Sequence, residues 1–482
     1  GGTLVMNTKL ADDTSPTDKL IIDGGTTTGN TALRVLNAGG AGGQTTEGIR
    51  LVETINGATT TTDAFHLDSG STGYRSSTTT VAVNGYDYSL IRGGNGGTKE
   101  DWYLTSEYTA PVDPEPPVDP EPPVEPEPPI EPPVDPEPPI EPPIVPPVVP
   151  PVGPAFKNVS PESGAYIGNQ LAATRLFMHS LQDRSTMSSD SVNLDDGRRM
   201  WARAQARHDS GLRMAEGNVR IKTDSTMLQL GGDLLRHSIS TEGALYAGVM
   251  AGYGDASTRS TSTMHAPNTG KTSRVRAKGK VSGYSVGVYG TIYQNDSTRL
   301  GAYGDAWLQY GRYSNRINSE LGSAKYHSNL WTASVESGYA FKPFPADSAL
   351  SNIVIEPNAQ LMYSNYDAKD VTLQGTRMRS GNDDNWNTRV GVRLYPHAKP
   401  GTGQPSLLPF VEANWLYNGD TASVRMGTNT LDAQPSRHAL ELKLGVQGQV
   451  SSSIDISAHL FGQTGSHSQR GYGGMLKVGY RW

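Results

Sequence analysis

The chain has 482 residues, a formal net charge of −7 at pH 7 and no cysteine, so it is long enough for more than one domain. The absence of cysteine excludes disulfides, thiolate metal sites and a cysteine nucleophile. No run approaches the roughly 18 apolar residues of a transmembrane helix. The chain starts without Met or a signal peptide, so we expect residue 1 to be a boundary made either by processing or by artificial truncation of a longer chain.

Residues 1–108 are rich in Thr, Gly, Asn and Asp and contain short segments in which apolar residues recur at every second position. Examples are TLVMNTKL, DKLIIDG and EGIRLVETING, and each is followed by turn-forming residues. This pattern predicts short strands separated by turns. The rungs of a solenoid and a β-sandwich both fit such strands, but a sandwich requires thicker apolar faces. We therefore expect the end of a parallel β-helix.

This first zone ends in YDYSLIRGGNGGTKEDWYLTSEY, where two aromatic segments flank a Gly-rich turn and predict a β-hairpin. Such a hairpin covers the open end of a solenoid, which otherwise exposes unpaired backbone groups. The alternative is a surface hairpin without a special role. We expect four aromatic side chains to form the cap, those of Tyr86, Tyr88, Trp102 and Tyr103.

Residues 109–154 form an acidic linker. Between 111 and 154 lie 22 of the 33 prolines and ten acids, with no Lys or Arg. Without those ten acids the net charge of −7 becomes +3, so the acidity belongs to the linker and charge gives no support for nucleic-acid binding. Proline favours polyproline II, and at ~3.1 Å per residue the segment reaches roughly 140 Å. We expect a spacer that holds the first zone away from an anchor; a ligand for proline-binding modules is the alternative.

Residues 155–197 contain a predicted helix and a linker. In GAYIGNQLAATRLFMHSLQDR the spacing of several residues is helical, and small residues are frequent. Such a helix suits a narrow polar tunnel. The residues at helical spacing are Leu171, Thr174, Arg175, Met178 and Leu181.

Residues 198–482 fall into segments of about ten residues with alternating apolar and polar side chains, separated by turn-forming residues. Connectors alternate between short ones, such as 451–453, and long ones, such as 254–279. Together with aromatic residues near segment ends, these features favour an outer-membrane β-barrel over a soluble sheet. The girdle residues are predicted to include Tyr293, Tyr310, Tyr363, Tyr395, Tyr417 and Tyr472.

The segments predict twelve strands, an even number as in single-chain bacterial barrels. The fold class is therefore all-β: the C-terminal end of a right-handed parallel β-helix, a polyproline linker, and a twelve-stranded antiparallel transmembrane barrel with a lumenal α-helix. The strands are predicted near 198–208, 227–236, 244–253, 281–293, 300–313, 329–341, 352–363, 385–395, 407–418, 438–450, 454–463 and 472–482.

Charged residues recur on the polar face of these strands. We expect them to face the lumen, hydrate it and pair with one another and with the helix; a charge ladder that only braces the barrel is the alternative. The lumenal candidates are Arg203, Asp305, Glu336, Glu356, Arg389, Arg393, Glu412, Glu441 and Lys443.

In this order of parts the whole chain resembles the C-terminal portion of type Va autotransporters, and most closely the AIDA-type and pertactin-like adhesins. The resemblance is carried by DKLIIDGGTTTGNTALRVLNAGGAGG, YDYSLIRGG, WYLTS, AYIGNQLAATRLF and LKVGYRW. It implies that residues 1–108 are the end of a passenger with an autochaperone region. It also implies that residues 155–184 lie in the pore of a barrel in the Gram-negative outer membrane, and that this barrel secretes, displays and anchors its own passenger.

The resemblance also implies partners. They are the outer-membrane bilayer with its lipopolysaccharide, the barrel assembly machinery, periplasmic chaperones, the chain's own passenger, and a host or bacterial surface ligand of the missing passenger. No nucleic acid and no cofactor are expected. Some relatives cut the lumenal helix beside paired asparagines; this segment has Asn169 followed by Gln170 and an isolated Asn158, so we expect no cleavage by that route.

The last segment, GYGGMLKVGYRW, is predicted to be the final strand and to close against the first, with Lys477 and Arg481 toward the lumen. In relatives the terminal aromatic strand is the assembly signal. By resemblance this signal is carried by Tyr472, Leu476, Val478, Tyr480 and Trp482, all expected to face lipid.

We expect no catalytic site. GYSVG at 283–287 matches a nucleophile-elbow motif, but Ser285 lies within an alternating strand and not at a strand-to-helix turn. A surface protease with a loop-borne site and a porin are the alternative functions, although the helix and spacer argue against a porin. His459 is expected to face the lumen and to bond Asp455. The residues that would have to form a protease site in outer loops are Asp255, His265, His327, Asp383, Asp384 and His467.

Overall fold

The computed structural model describes residues 1–109, 155–185, 199–266, 271–397, 406–419, 422–433 and 435–481. The predicted proline-rich segment and Trp482 therefore lie outside the described residues. Within those ranges, no helix has the length and apolar character that crossing a membrane requires.

The first zone is a parallel β-helix, in which each short strand pairs with a strand of the next rung. Its strands are β1 (Thr3–Thr8), β2 (Leu20–Asp23), β3 (Thr26–Thr27), β4 (Thr31–Asn37), β5 (Ile49–Ile55), β6 (Thr59–Thr60) and β7 (Phe65–Leu67). β1 pairs in parallel with β4 and β4 with β7, while β2 pairs with β5 and β3 with β6. Inward apolar side chains such as Leu33, Leu51 and Phe65 form its core.

An antiparallel sheet covers the C-terminal end of this solenoid and is called the cap. Its strands are β8 (Tyr74–Arg75), β9 (Thr80–Val83), β10 (Tyr86–Arg92) and β11 (Trp102–Thr105). β10 and β11 form a hairpin, and β11 also pairs antiparallel with β5 of the solenoid. Tyr88, Trp102 and Tyr103 are buried, while Tyr86 is partly buried and packs against both the solenoid core and a cluster that includes barrel residues.

Between the cap and the barrel lie β12 (Glu107–Thr109), β13 (Ala155–Lys157) and the helix α1 (Pro161–Arg175). β12 and β13 pair antiparallel, with Thr109 opposite Ala155. The two ends of the linker are therefore neighbours, although the chain between them has 45 residues, from 110 to 154.

Twelve long antiparallel strands and two outer hairpins follow, and the predicted twelve-stranded barrel is confirmed. The strands are β14 (Arg199–Met214), β15 (Val219–Ser238), β16 (Ala244–Ala266), β17 (Lys271–Tyr293), β18 (Gly301–Ser319), β19 (Gly322–Ala340), β20 (Ile353–Ala368), β21 (Val371–Leu373), β22 (Thr376–Ser380), β23 (Asp384–Pro396), β24 (Ser406–Asn418), β25 (Ala422–Met426), β26 (Asn429–Ala433), β27 (His438–Gln449), β28 (Ile454–Gly465) and β29 (Arg470–Arg481). β21–β22 and β25–β26 are the hairpins, and they define the outer end of the barrel. β29 pairs with β14, so the wall closes.

The predicted long loop at 254–279 is wrong. β16 and β17 continue through it as paired strands, and only 267–270 separate them. The outward side chains of Asp255, Ser257 and Arg259 are exposed and polar. The apolar half of the alternation is lost where the wall rises above lipid into water, while the backbone pairing persists.

The expectation that the linker holds the first zone away from the barrel is also wrong. The cap and solenoid contact the outer hairpins and turns directly. Asn429 Nδ2 donates to the carbonyl oxygens of Ala41 and Gly42 at 2.9 and 3.1 Å, and the Ser77 amide donates to Glu320 at 2.8 Å. Proline-rich composition predicts the local backbone of a linker, but it does not determine how far apart the linker's ends lie.

Candidate functional site: the occupied lumen

The helix α1 lies inside the barrel against one wall, formed by β15, β16 and β17. Glycines permit this close approach. A Cβ at Gly168 of the helix would lie 2.1 Å from Thr258 Cγ2, and one at Gly279 of the wall would lie 2.3 Å from Asn169 Oδ1. Asn169 Nδ2 also donates to the Arg316 carbonyl at 3.2 Å. The helix is thus seated at one position on the wall.

The helix ends at Arg175, earlier than its spacing predicts, so Met178 and Leu181 lie beyond it. Barrel side chains bind the carbonyl groups that follow. The Phe177 oxygen accepts from Arg203 and Gln309 at 3.3 and 3.2 Å, and the His179 oxygen accepts from Gln360 at 2.8 Å. These bonds satisfy the backbone outside the helix, and the chain continues toward the inner end in a non-helical conformation.

Residues 181–184 are anchored to the wall by four lumenal residues predicted from the sequence. Arg184 forms a two-pronged contact with Asp305 at 2.6 and 2.7 Å, and the Leu181 amide donates to Glu336 at 2.9 Å. Gln182 Nε2 donates to Glu356 at 2.7 Å, and Asp183 lies 3.4 Å from Lys443 Nζ. Charged groups of the wall therefore bind this segment and hold it in place.

The remaining lumenal candidates pair across neighbouring strands. Glu412 lies 3.0 Å from Arg393, 3.5 Å from Arg389 and 3.7 Å from Lys443. Arg389 also lies 3.0 Å from Glu336. Glu441 is less enclosed and stands 3.9 Å from Lys443. Residues 161–185, which occupy the lumen, are called the plug. This network joins the charged residues that bind the plug to those that pair within the wall.

Sequence reasoning missed the plug's own share of this network. Gln182, Asp183 and Arg184 were part of the predicted helical stretch but received no role. A run of three polar residues directly after Leu181 is the signal that could have identified them, because an enclosed segment needs polar groups wherever the lumen presents charge.

A cavity of about 150 Å³ remains between the plug and the opposite wall. It is lined mainly by polar side chains, among them Arg175, Arg207 and Asn387. That volume holds roughly five water molecules. The occupied lumen thus leaves space for water beside the plug.

The cap contacts the first turn of the helix through Arg75 of β8. Arg75 Nε lies 2.8 Å from Asp87 Oδ2, and its Nη1 lies 3.0 Å from Glu162 Oε1. All three side chains are buried. Burial opposes the charge of Arg75, but Asp87 and Glu162 outweigh that effect and raise the pKa of its guanidinium.

Backbone hydrogen bonds reinforce this junction. The Asp87 amide donates to the Asn158 carbonyl at 2.8 Å, and the Ser160 amide donates to the Gly85 carbonyl at 2.9 Å. The residues just before α1 therefore extend the edge of β10. Neither Arg75 nor Glu162 stood out in the sequence, because nothing in the spacing of two residues 87 positions apart reveals that they meet.

Most of the residues considered for a protease site lie in strands and not in outer loops. Asp255 and His265 lie in β16, His327 lies in β19, and Asp384 lies in β23. Asp384 accepts hydrogen bonds from Tyr363 and Asn365 at 2.7 Å.

The remaining residues considered for a protease site are Asp383 and His467, and His265 has a further contact. Asp383 directly precedes β23, and His467 lies in a short 3₁₀ turn between β28 and β29. The ring of His265 stacks on Phe156 with centroids 4.1 Å apart. Across the described ranges, no three His, Asp or Glu side chains are grouped to hold a metal ion.

Ser285 and His459, two further residues singled out in the sequence, both face the lumen. Ser285 lies within β17, is buried, and donates to Gln309 at 2.9 Å, so it is not at a nucleophile elbow. His459 faces the lumen between the rings of Phe410 and Phe461. The predicted bond to Asp455 is wrong, because four positions along one strand separate the two residues by roughly 13 Å.

The outward face of the barrel carries the residues predicted to meet lipid. Tyr472, Leu476, Val478 and Tyr480 are exposed, whereas Lys477 and Arg481 are buried on the lumenal side. Trp482, the remaining residue of the predicted assembly signal, lies outside the described residues. Tyr293 and Tyr395 depart from the predicted girdle, because both face the lumen. Arg299 lies 3.8 Å from the ring centroid of Tyr293, and the Tyr395 hydroxyl donates to Glu356 at 3.0 Å.

Replacing Gly279 by Val is expected to loosen the helix in the lumen. A Cβ at this position would meet the Asn169 side chain at 2.3 Å and the Ala165 carbonyl oxygen at 2.8 Å, so the helix backbone must shift. Overpacking of this kind costs about 1–3 kcal/mol, which makes open states roughly fivefold to 150-fold more populated. Single-channel recording of the purified chain in planar bilayers measures this change.

Gly462→Val is the matched control, because Gly462 lies within β28 on the outward face and a Cβ there would meet nothing within 4 Å. We expect its conductance to equal that of the unchanged chain. Equal conductance of all three proteins would contradict the close seating of the helix against β17.

Comparison with known proteins identifies the architecture. The family model "Autotransporter beta-domain" matches residues 200–460, and "Autochaperone Domain Type 1" matches residues 1–90. The protein YdeU of Escherichia coli (strain K12) is 32% identical, with 100% of this chain and 95% of YdeU covered. The autotransporter adhesin AIDA-I of Escherichia coli is 25% identical over 100% of this chain, which spans 33% of that adhesin.

The crystal structure of the AIDA-I transport unit from Escherichia coli superimposes with a TM-score of 0.57 and 26% identity, covering 66% of this chain and 98% of that one. Its match supports the barrel fold described above, and the family models cover both the barrel and most of the solenoid zone. The chain therefore belongs to the autotransporter family, as an outer-membrane barrel with the end of its own passenger.

Proposed function

We propose that this chain secretes an N-terminal adhesin-like passenger to the bacterial surface, displays it there and anchors it. The observation that carries this proposal is the path of the chain. A folded solenoid end sits on the outer rim, α1 passes down the closed barrel, and β14 begins at the inner end. This is the arrangement left after a passenger has moved outward through the lumen.

The same path supplies a direction to export. The cap is a folded sheet with a packed aromatic core, and the lumen beneath it holds α1 and the segment that follows it. Once a rung has folded outside, its return would require unfolding of that core. Folding at the outer end therefore favours outward movement without a nucleotide, since each added rung buries apolar surface.

The remaining partners are proposed on the resemblance to this family. The barrel assembly machinery and periplasmic chaperones would insert β14 to β29, lipopolysaccharide would surround the outer half, and the passenger's ligand would bind residues that precede Gly1. We propose no cofactor, no nucleic acid and no enzymatic activity of this portion. We also keep the prediction that no cleavage occurs beside Asn169, whose side chain is engaged with Arg316 and Tyr326.

Two alternatives have less support. A surface protease would need acids and histidines in one cleft, whereas Asp255, His327 and Asp384 are exposed on β16, β19 and β23, and other strands of the sheet separate each of these from the next. A porin would conduct with its lumen as built, so the conductance of the unchanged chain in the Gly279 experiment separates a porin from a plugged translocator.

Display is tested with an epitope placed before Gly1 in intact cells. We expect antibody and added protease to reach the epitope while the barrel stays protected, because the solenoid lies at the outer end. An epitope that remains periplasmic, beside a folded outer-membrane barrel, would overturn the proposed export.

In the same cells we expect deletion of Trp482 to reduce barrel insertion sharply, and normal display after that deletion would contradict the proposed assembly signal.

A further inference from the structure

A band of cations lies on the outward face of the barrel, directly above its apolar zone. On β17 the outward residues alternate with lumenal ones, and Val286 and Tyr284 are exposed in the apolar zone. The outward series then continues through Ser282 to Lys280 and Lys278, both exposed. The change from apolar to cationic thus occurs within two positions of the series.

The same change occurs on the neighbouring strands, so the cations form two rows across the wall. In one row Lys222 of β15 stands opposite Arg259 of β16, which stands opposite Lys278 of β17. In the other, Lys280 stands opposite Arg316 of β18, which stands opposite Lys325 of β19. These six residues, all exposed, are called the basic belt.

The basic belt is costly for the barrel on its own. Like charges placed directly opposite each other on neighbouring strands repel and destabilise a sheet. In the part of the chain that the structure describes, none of the six belongs to an ion pair, and the few acids on this face are engaged elsewhere. Asp224 contacts His208 and Asp255 accepts from Thr226. Pairing within the wall therefore does not account for the belt.

The height of the belt indicates what it meets. Exposed Leu228, Tyr253 and Tyr284 end the apolar zone on β15, β16 and β17. Outward aromatic residues at the end of an apolar band mark the edge of the hydrocarbon layer. The cations directly above that edge are therefore at the level of the outer-leaflet head groups, where phosphate groups are concentrated.

The belt is confined to one sector of the barrel. On β20 the outward residue that follows Tyr363 and Asn365 is Asp367, and on β23 Asp384 stands just above Trp386. Acids also lie just above the apolar edge on β15 and β16, where the outward series reach Asp224 and Asp255 before the cations of the belt. Arg470 on β29 is also an exposed outward cation, but Ser210 and Thr464 stand opposite it, so the rows of opposed cations on β15 to β19 are the feature that points to a specific contact.

We propose that the basic belt is a binding site for the phosphate groups of lipopolysaccharide, which holds the β15–β19 sector of the barrel to the outer leaflet. The inference deepens the proposed contact with lipopolysaccharide and rests on it. Each Lys or Arg near an anionic lipid surface strengthens binding by roughly fivefold, so the six cations supply a strong and salt-sensitive attraction.

The chain carries another anionic group that is a candidate occupant of the belt. The acidic residues 113–141 belong to the segment that joins Thr109 to Ala155, and Tyr108 beside this junction stacks on His265 at the top of β16. The height of the belt at the edge of the apolar band favours a lipid head group over this segment. The experiment separates the two occupants.

Binding is measured with the purified full chain in a neutral detergent, titrated with lipid A and followed by native mass spectrometry. We expect the variant K278Q/K280Q/R316Q to bind lipid A about a hundredfold more weakly. K369Q/R379Q/R425Q is the matched control, because it removes three exposed cations outside the belt, near the outer hairpins, and we expect its affinity to stay within about twofold. Inorganic phosphate at the same concentration should not displace lipid A.

Three results would overturn the proposal. One is an unchanged affinity of the belt variant, and another is displacement of lipid A by inorganic phosphate, which would indicate a free-phosphate site. The third is a gain of tenfold or more when residues 110–154 are replaced by a short Gly-Ser turn, which would show that the acidic segment occupies the belt. Display of the epitope before Gly1 is recorded separately, so failure of the belt is distinguishable from failure of export.

Discussion

Replacing Glu412 by Gln is expected to lower the free energy of unfolding of the barrel by about 3–5 kcal/mol, the effect of leaving buried charges without a partner. Glu412 is buried on β24, and its carboxylate lies 3.0 Å from Arg393 and 3.5 Å from Arg389. In the part of the chain that the structure describes, it supplies the one carboxylate within ion-pair distance of Arg393. Temperature-dependent mobility of the folded barrel on gels measures the loss.

Glu441→Gln is the matched control for this prediction. Glu441 lies on the adjacent strand β27, but its nearest cation, Lys443, is 3.9 Å away and keeps Asp183 and Glu412 as partners. We expect a change of at most about 1 kcal/mol. The double variant R393Q/E412Q should lose less than the sum of its single variants, because the two groups interact directly. Equal losses for Glu412 and Glu441 would contradict the central place of Glu412 in the network.

The barrel could be predicted because lipid dictates every second residue of its strands. Leu440, Leu442 and Leu444 of β27 are 62%, 47% and 52% exposed, and their alternation with polar residues was visible in the sequence. The same rule fails above the lipid. There the outward faces of β16 and β17 meet water and their inward faces carry small side chains. The apolar alternation therefore stops, and only the backbone pairing continues.

The inward face of the lumen could be predicted, but its partners could not. Alternation places Glu336 and Asp305 inside, yet it does not reveal that they bind the Leu181 amide and Arg184. Those contacts depend on how far the plug descends. That depth is set by glycine contacts such as Gly168 with Thr258, which the sequence shows only as small residues.

The docking of the cap could not be predicted from the sequence, for a different reason. Its contacts join residues far apart in the sequence, such as Asn84 with Asn429, and none belongs to a periodic pattern. Composition of the linker suggested separation of the two parts instead. The physical basis of docking is a few buried polar contacts, of which the one around Arg75 is the most enclosed.

Replacing Arg75 by Met is expected to release the cap from the helix, because Asp87 and Glu162 would remain buried without a cation. Removal of one partner from a buried charge cluster costs about 3–5 kcal/mol. We expect amide exchange to accelerate together in residues 86–92 of the cap and in the first turn of α1. Hydrogen–deuterium exchange with mass spectrometry of the full chain measures both segments, and β27 serves as an internal reference.

Two further variants separate release of the cap from simple loss of its fold. Arg34→Met removes an ion pair of 2.6 Å to Asp68 whose arginine side chain is 42% exposed, and we expect it to change stability by less than about 1 kcal/mol. R75M/E162R moves the cation from the cap to the helix, where it still faces Asp87, and should restore slow exchange in both segments. Acceleration confined to residues 86–92 in the Arg75 variant, with the helix unchanged, would show that Arg75 stabilises only the cap and that the helix is held by the barrel alone.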